Sequence, residues 1–206
     1  MATQLEVLTI GHSNHTIERF IELLRQHQVT ALADVRSAPY SQIQAQFNRE
    51  ALALALKQEG IAYSFLGKEL GGRPADKTCY ENGRVQYQRV AATPIFRSGV
   101  ERILAGVQSY RIALMCAERE PLECHRALLV APELEKAGVA VLHVHADGRT
   151  EPHSDAMSRL LDLYRLAEDD LFRSRSELIE EACYRQQERV AFTGKPLPQD
   201  ARQVAQ

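Results

Sequence analysis

Apolar runs and amphipathic segments alternate along the chain as far as residue 148. "VLTIG" (7–11) is a short apolar run of the kind a buried strand makes. "TIERFIELLRQHQ" (16–28) then places apolar residues at Ile17, Phe20, Ile21, Leu23 and Leu24, the spacing of one helix face. "VTALADVR" (29–36) reads as strand again. "NREALALALKQEG" (48–60) reads as a helix opened by Asn48, whose side chain can satisfy free N–H groups, and stopped by Gly60. The series continues with strand "IAYSFLG" (61–67), helix "IFRSGVERILAGVQSY" (95–110), strand "RIALMC" (111–116), helix "PLECHRALLVAPELEKAG" (121–138) and strand "VAVLHVHADG" (139–148). Pro121 suits the first turn of the last helix, where a missing N–H costs nothing. Residues 67–94 carry glycines 67, 71, 72 and 83 with prolines 74 and 94. They read as a long loop, and such loops in compact domains are commonly functional.

Strands that alternate with helices pair in parallel through right-handed crossovers. The expected fold is α/β: a single domain in three layers, with a mainly parallel sheet of about five strands and C-terminal helices. The pattern divides into an α/β domain over 1–150, a helical extension over 151–192 and a flexible tail over 193–206. The extension has no glycine or proline between 154 and 192. Its Leu160, Leu161, Leu163, Tyr164, Leu166, Leu171 and Phe172 exceed what one buried stripe needs. That surplus predicts a cover for the domain or a homodimer contact.

Composition narrows the partners. A net charge of −2 over 206 residues gives the whole molecule no pull toward nucleic acid or an anionic membrane. No apolar run approaches the ~20 residues of a membrane span. The N-terminus lacks the basic and apolar regions of a signal peptide. Four cysteines in such a chain predict reduced thiols and a cytoplasmic location.

Polar residues gather where strands end. Gly11, His12 and Ser13 follow the first, Asp34 and Arg36 the second, with Pro39 and Ser41 just beyond. Cys116 and Glu118 follow the fourth, and His143 and His145 lie late in the fifth. In an open parallel sheet, ligands bind beyond the carboxyl ends of the strands, so these side chains are expected along one edge. His12, behind a glycine, can serve as acid, base or anion donor, or simply as a polar turn residue. Asp34 and Arg36 point to the same side of an extended strand.

The densest stretch is "LMCAEREPLECHRALL" (114–129). If Pro121 starts the helix, Cys124 sits in its first turn. The positive end of the helix and the adjacent His125 and Arg126 would favour a thiolate there, while Glu120 and Glu123 oppose it. A buried structural cysteine fits the same pattern. Cys116, followed by Glu118 and Glu120, suits a supporting role. Cys116, Cys124 and His125, with His145 or His12, could in principle ligate a metal. The C-x7-C-H spacing matches none of the paired-cysteine zinc patterns, so no metal ligand is expected and any cofactor is left unknown. "GKELGG" lacks the order of a phosphate-binding loop. Lys68, Arg73, Lys77, Arg84, Arg89 and Arg97, with Tyr80 and Tyr87 between them, could contact a phosphorylated or nucleic-acid ligand. Against Glu69, Asp76 and Glu81 in a negative chain, a solvated loop face is the stronger reading.

"TIGHS" (9–13), "DVRSAPYS" (34–41), "FLGKELGG" (65–72) and "LMCAEREPLECHRALL" (114–129) together resemble the bacterial and archaeal family known as domain of unknown function 488. The likeness spans residues 7–147. It implies a compact α/β domain and a suggested link to DNA repair, but no reaction. A looser likeness is to rhodanese-type sulfurtransferases, whose cysteine would correspond to Cys116. "CAEREPLE" departs from their glycine-rich loop, because its three glutamates would repel an anionic persulfide.

The expected function is therefore an enzyme acting on a small anionic or nucleotide-like ligand. Cys116, Cys124, His125 and His12 would be its catalytic groups, and Ser13, Asp34, Arg36, Ser41, Glu118 and Arg126 its binding groups. The contrasting expectations are a non-enzymatic nucleic-acid-binding or DNA-repair accessory module and a rhodanese-like sulfur-handling protein.

Overall fold

The first strand, β1 (Glu6–Gly11), is buried along almost its whole length, as a central strand covered on both faces must be. The computed structural model describes residues 5–166 and 171–196. Positions 167–170 of the expected helical extension, and the expected tail from 197 onward, lie outside the described residues.

After β1 come α1 (Ile17–Gln26), β2 (Ala31–Asp34), α2 (Arg49–Gln58), β3 (Ala62–Phe65) and the short α3 (Gly67–Leu70). A small hairpin of β4 (Tyr80–Glu81) and β5 (Arg84–Val85) precedes α4 (Tyr87–Ala91), α5 (Pro94–Gly106) and β6 (Ile112–Cys116). The chain continues through α6 (Ala131–Lys136), β7 (Ala140–Val144), β8 (Thr150–Pro152), α7 (His153–Tyr164) and α8 (Arg175–Val190). The main sheet runs β3-β2-β6-β1-β7-β8, with every pair parallel except β7–β8. The architecture is the expected α/β one. The sixth strand is the antiparallel edge β8, too short to show a period of its own.

Alternation along the strands feeds two cores. Leu8 and Ile10 of β1 pack with Phe20, Leu23 and Leu24 of α1 and with Leu52 and Leu56 of α2. Val7 and Leu114 face the opposite layer, with Phe96 and Ile103 of α5, Leu134 of α6, Leu160 and Leu161 of α7, and Leu178 of α8. The C-terminal helices therefore complete the core, although Leu171 and Phe172 are left more than nine-tenths exposed.

Two local expectations are corrected. Residues 67–94 are not an open loop: α3, the hairpin and α4 fold there, and Tyr87 and Val90 are buried. The helix expected over 121–138 is broken. A single 3-10 turn covers Pro121–Glu123, Cys124 is extended (φ −133°, ψ 141°), and a widened helical turn over Arg126–Val130 leads into α6. Pro132 has no N–H to return to the preceding turn, which removes one bond of an ordinary α-helix at this junction.

Candidate functional site at the carboxyl edge of the sheet

Register brings the ends of the central strands level. Gly11 pairs with Cys116 and Asp34 with Met115. Beyond them, the N–H groups of His12 and Ser13 donate to the carbonyls of Cys116 and Ala117, each at 2.9 Å. The loop after β6 is thus tied to the loop after β1. Gly11 allows this approach, since a Cβ there would stand 1.9 Å from the Glu118 carbonyl oxygen.

Parity of the strands sorts the polar residues into two groups. On the α1/α2 side, the Asp34 carboxylate is fully buried. It accepts from the backbone N–H, Nε and Nη2 of Arg36, at 3.1, 2.9 and 2.7 Å, and from the Tyr63 hydroxyl at 2.8 Å. Burial, and then the Asp34 carboxylate, push Tyr63 well up. Arg36 Nη1 lies 3.3 Å from His12 Nε2. Arginine can only donate, so Nε2 accepts and Nδ1–H donates to the Ser13 carbonyl at 2.9 Å. Burial, reinforced by Arg36, pushes His12 down to about 4, and its ring stacks on Phe47 at 4.4 Å. The neutral imidazole is therefore fixed in one tautomer.

On the other side, Cys116, Glu118, Cys124 and His125 converge, with ligand-type atoms all within 4.8 Å of one another. Glu118 Oε2 is 2.8 Å from Cys116 Sγ and 3.0 Å from Cys124 Sγ. His125 Nδ1 is 3.7 and 3.8 Å from the same two sulfurs, while its Nε2–H donates to the Val35 carbonyl at 3.0 Å. Both cysteines are buried, and Glu118 is exposed apart from the carboxylate it turns inward. Burial alone would raise both thiols. The Cys116 contact and the charges of Arg126 and His125 overcome it at Cys124 and hold that thiol well below the usual range. Burial and the neighbouring Cys124 push Cys116 well above it. Burial works against a charged His125, but the Cys124 thiolate outweighs it and raises the imidazole. Burial, then Cys124, raises the Glu118 carboxyl.

Cys124 owes nothing to a helix N-terminus, because it precedes the helical turn in extended conformation. Arg126 supplies charge from within. It is fully buried, and its Nη1 and Nη2 donate to the Glu118 and Arg119 carbonyls at 2.7 and 3.1 Å. It braces the loop and does not line the groove. Ser41 accepts from the N–H groups of Ile43 and Gln44 and so shapes a turn. Ser13 adopts a left-handed backbone (φ 48°) at the β1 loop. His143 bonds to Thr9 and His153, and His145 to Glu151, and neither joins the cysteine cluster.

A groove of about 450 Å³ passes over the cysteine side of the edge, with Arg36, Cys116, Glu118 and His125 in its wall. Among its other lining residues are Gly72 and Phe192, which sequence reasoning missed, and Arg73 and Tyr87, which it named only as part of a basic loop face. Arg73 is exposed, and its guanidinium lies 4.4 Å from the centre of the Phe192 ring. Gly72 backs the His125 ring, where a Cβ would come within 2.9 Å. The double glycine of "GKELGG" was the available signal for that close approach.

The family model described as Domain of unknown function DUF488 matches residues 16–131, more than half of the chain. No curated protein and no solved structure matches.

Proposed function

The chain belongs to the family of the domain of unknown function DUF488, and we propose that it is an enzyme acting on a small anionic ligand held in the groove over the Cys116–Glu118–Cys124–His125 cluster. The observation that carries this reading is the convergence of two thiols, a carboxylate and an imidazole beside one groove, with Cys116, Glu118 and His125 in its wall and Cys124 directly behind them. A volume of about 450 Å³ suits a small molecule. Arg73 offers the ligand a cation at the surface, and Arg36 adds a positive wall deeper in, although Asp34 offsets much of its charge. Glu118, exposed and in reach of both sulfurs, is placed to pass a proton between the cluster and the ligand.

Ion pairing favours a small ligand over nucleic acid. Arg84 is paired with Glu188, Arg89 with Glu81 and Arg102 with Glu69, so much of the basic surface is already neutralised. A carboxylate beside both sulfurs also disfavours a persulfide, which is anionic itself. The test is calorimetric binding of inorganic phosphate, nucleoside monophosphates and short dicarboxylates to the full chain and to Arg73→Gln. At least one anion should bind, and Arg73→Gln should weaken it roughly tenfold, the loss of one charged hydrogen bond. No anion binding, together with steeply salt-dependent binding of DNA, would instead favour the nucleic-acid module.

A further inference from the structure

We propose that Cys116, Cys124 and His125, with Glu118 as an exchangeable fourth ligand, form a site for one divalent transition ion of the zinc class. This deepens the reading above at the same cluster, but it does not depend on the anion held in the groove.

Distances come first. Four ligands around zinc, with bonds of ~2.3 Å to sulfur and ~2.0 Å to nitrogen, stand roughly 3.5–3.8 Å apart along the edges of a tetrahedron. His125 Nδ1 lies 3.7 and 3.8 Å from the two sulfurs. The Glu118 oxygen sits closer, at 2.8 and 3.0 Å, and must withdraw by less than ~1 Å to reach the same spacing. Its residue is exposed and has room to do so.

Orientation is the second argument. The Nε2–H of His125 is committed to the Val35 carbonyl, so Nδ1, on the side of the sulfurs, is the nitrogen that binds an ion once its proton is displaced. A metal-bound histidine commonly has its other nitrogen held in this way. Backbone geometry explains how adjacent residues can serve one ion. Cys124 is extended and His125 is helical (φ −60°, ψ −23°), so their side chains turn to the same point. That is why the C-x7-C-H spacing matches no paired-cysteine template.

The third argument is rigidity and ligand type. Cys116 ends a central strand, and the Cys124–His125 segment is anchored by Gln186, which donates to the Leu122 carbonyl at 2.7 Å. Arg126 braces the intervening loop at Glu118 and Arg119. Two thiolates and an imidazole select zinc, or another thiophilic ion, over magnesium or calcium. Three buried ligands and one exposed, displaceable carboxylate at a groove match the open coordination of catalytic sites and not a closed structural one.

The test starts with elemental analysis of the full chain purified without chelator. The chain is then stripped under reducing conditions and titrated with Co²⁺. About one ion per chain and a thiolate-to-cobalt charge-transfer band are expected. Cys124→Ser should lose both while Cys183→Ser keeps them, with circular dichroism reporting the fold. If Cys124→Ser fails to fold, Glu118→Gln decides. It keeps the three buried ligands and should retain the band with affinity lowered roughly ten- to a hundredfold. Reduced wild-type chain that takes up no Co²⁺, a band that persists in folded Cys124→Ser, or a Co²⁺ affinity unchanged in Glu118→Gln overturns the proposal. That result alongside intact anion binding would leave the anion reading standing. Metal uptake without anion binding would do the reverse.

Discussion

Asp34→Asn tests whether the α1/α2 side of the edge is held by a buried charge pair. The wild-type carboxylate accepts four hydrogen bonds, three from Arg36 and one from Tyr63, and the side chains of the pair are 0% and 6% exposed. Asparagine keeps one acceptor oxygen. It turns an NH₂ group toward donors on one side and leaves the Arg36 guanidinium without a counter-charge. Breaking one partner of a buried pair costs about 3–5 kcal/mol. Tyr63→Phe removes only one of the four bonds and should cost about 0.5–1.5 kcal/mol. For a chain of this size the Asp34→Asn loss corresponds to a melting point roughly 6–20 °C lower. Urea unfolding at neutral pH, followed by far-UV circular dichroism, measures both variants. Combining Asp34→Asn with Arg36→Met should cost less than the sum of the single changes, because the second change removes the charge that the first strands. A loss under about 1 kcal/mol for Asp34→Asn, or strict additivity of the pair, would refute the reasoning.

Three further outcomes are expected. Arg126→Lys should lose about 1–3 kcal/mol, since one ammonium cannot bridge the Glu118 and Arg119 carbonyls as the guanidinium does; an unchanged urea midpoint would count against the bracing role. Gly72→Ala should cost about 1–3 kcal/mol by pressing on the His125 ring, and a variant as stable as wild type with an unmoved His125 resonance would contradict that packing. Stability should also fall with acid. Burial holds both His12 and His153 down at about 4, against about 6.5 in the unfolded chain. Unfolding therefore takes up protons between these values. The contribution is complete above about pH 6.5 and is lost as pH falls toward 4, by up to about 3 kcal/mol per histidine. Urea midpoints that stay level from pH 7 to pH 4.5 would rule it out.

Much of the fold was legible in the chain because burial on a regular element leaves a period. The 3.6-residue spacing at Ile17–Leu24 marks α1, and the apolar run of β6 and that of β1, interrupted by Thr9, mark strands covered on both faces. The gathering of His12, Asp34, Arg36, Cys116 and Cys124 at one edge followed from the same alternation, since parallel strands carry their ends to one side. What the sequence could not decide was the face each residue takes and what it meets there. Strand parity puts Asp34, Arg36 and His12 beside α1 and α2, while Cys116 and His125 lie across the sheet. Arg126 looked like an anion ligand, yet packing turns it inward to two carbonyls. Cys124 and His125 converge only because their backbones differ in conformation. Gly72 joins the site from a distant part of the chain; its glycine signals a close approach, but only the tertiary structure shows that the His125 ring is what it meets. Local periods report which side of an element is buried. Convergence of side chains depends on long-range packing and on single backbone angles, and those exist only once the whole core has formed.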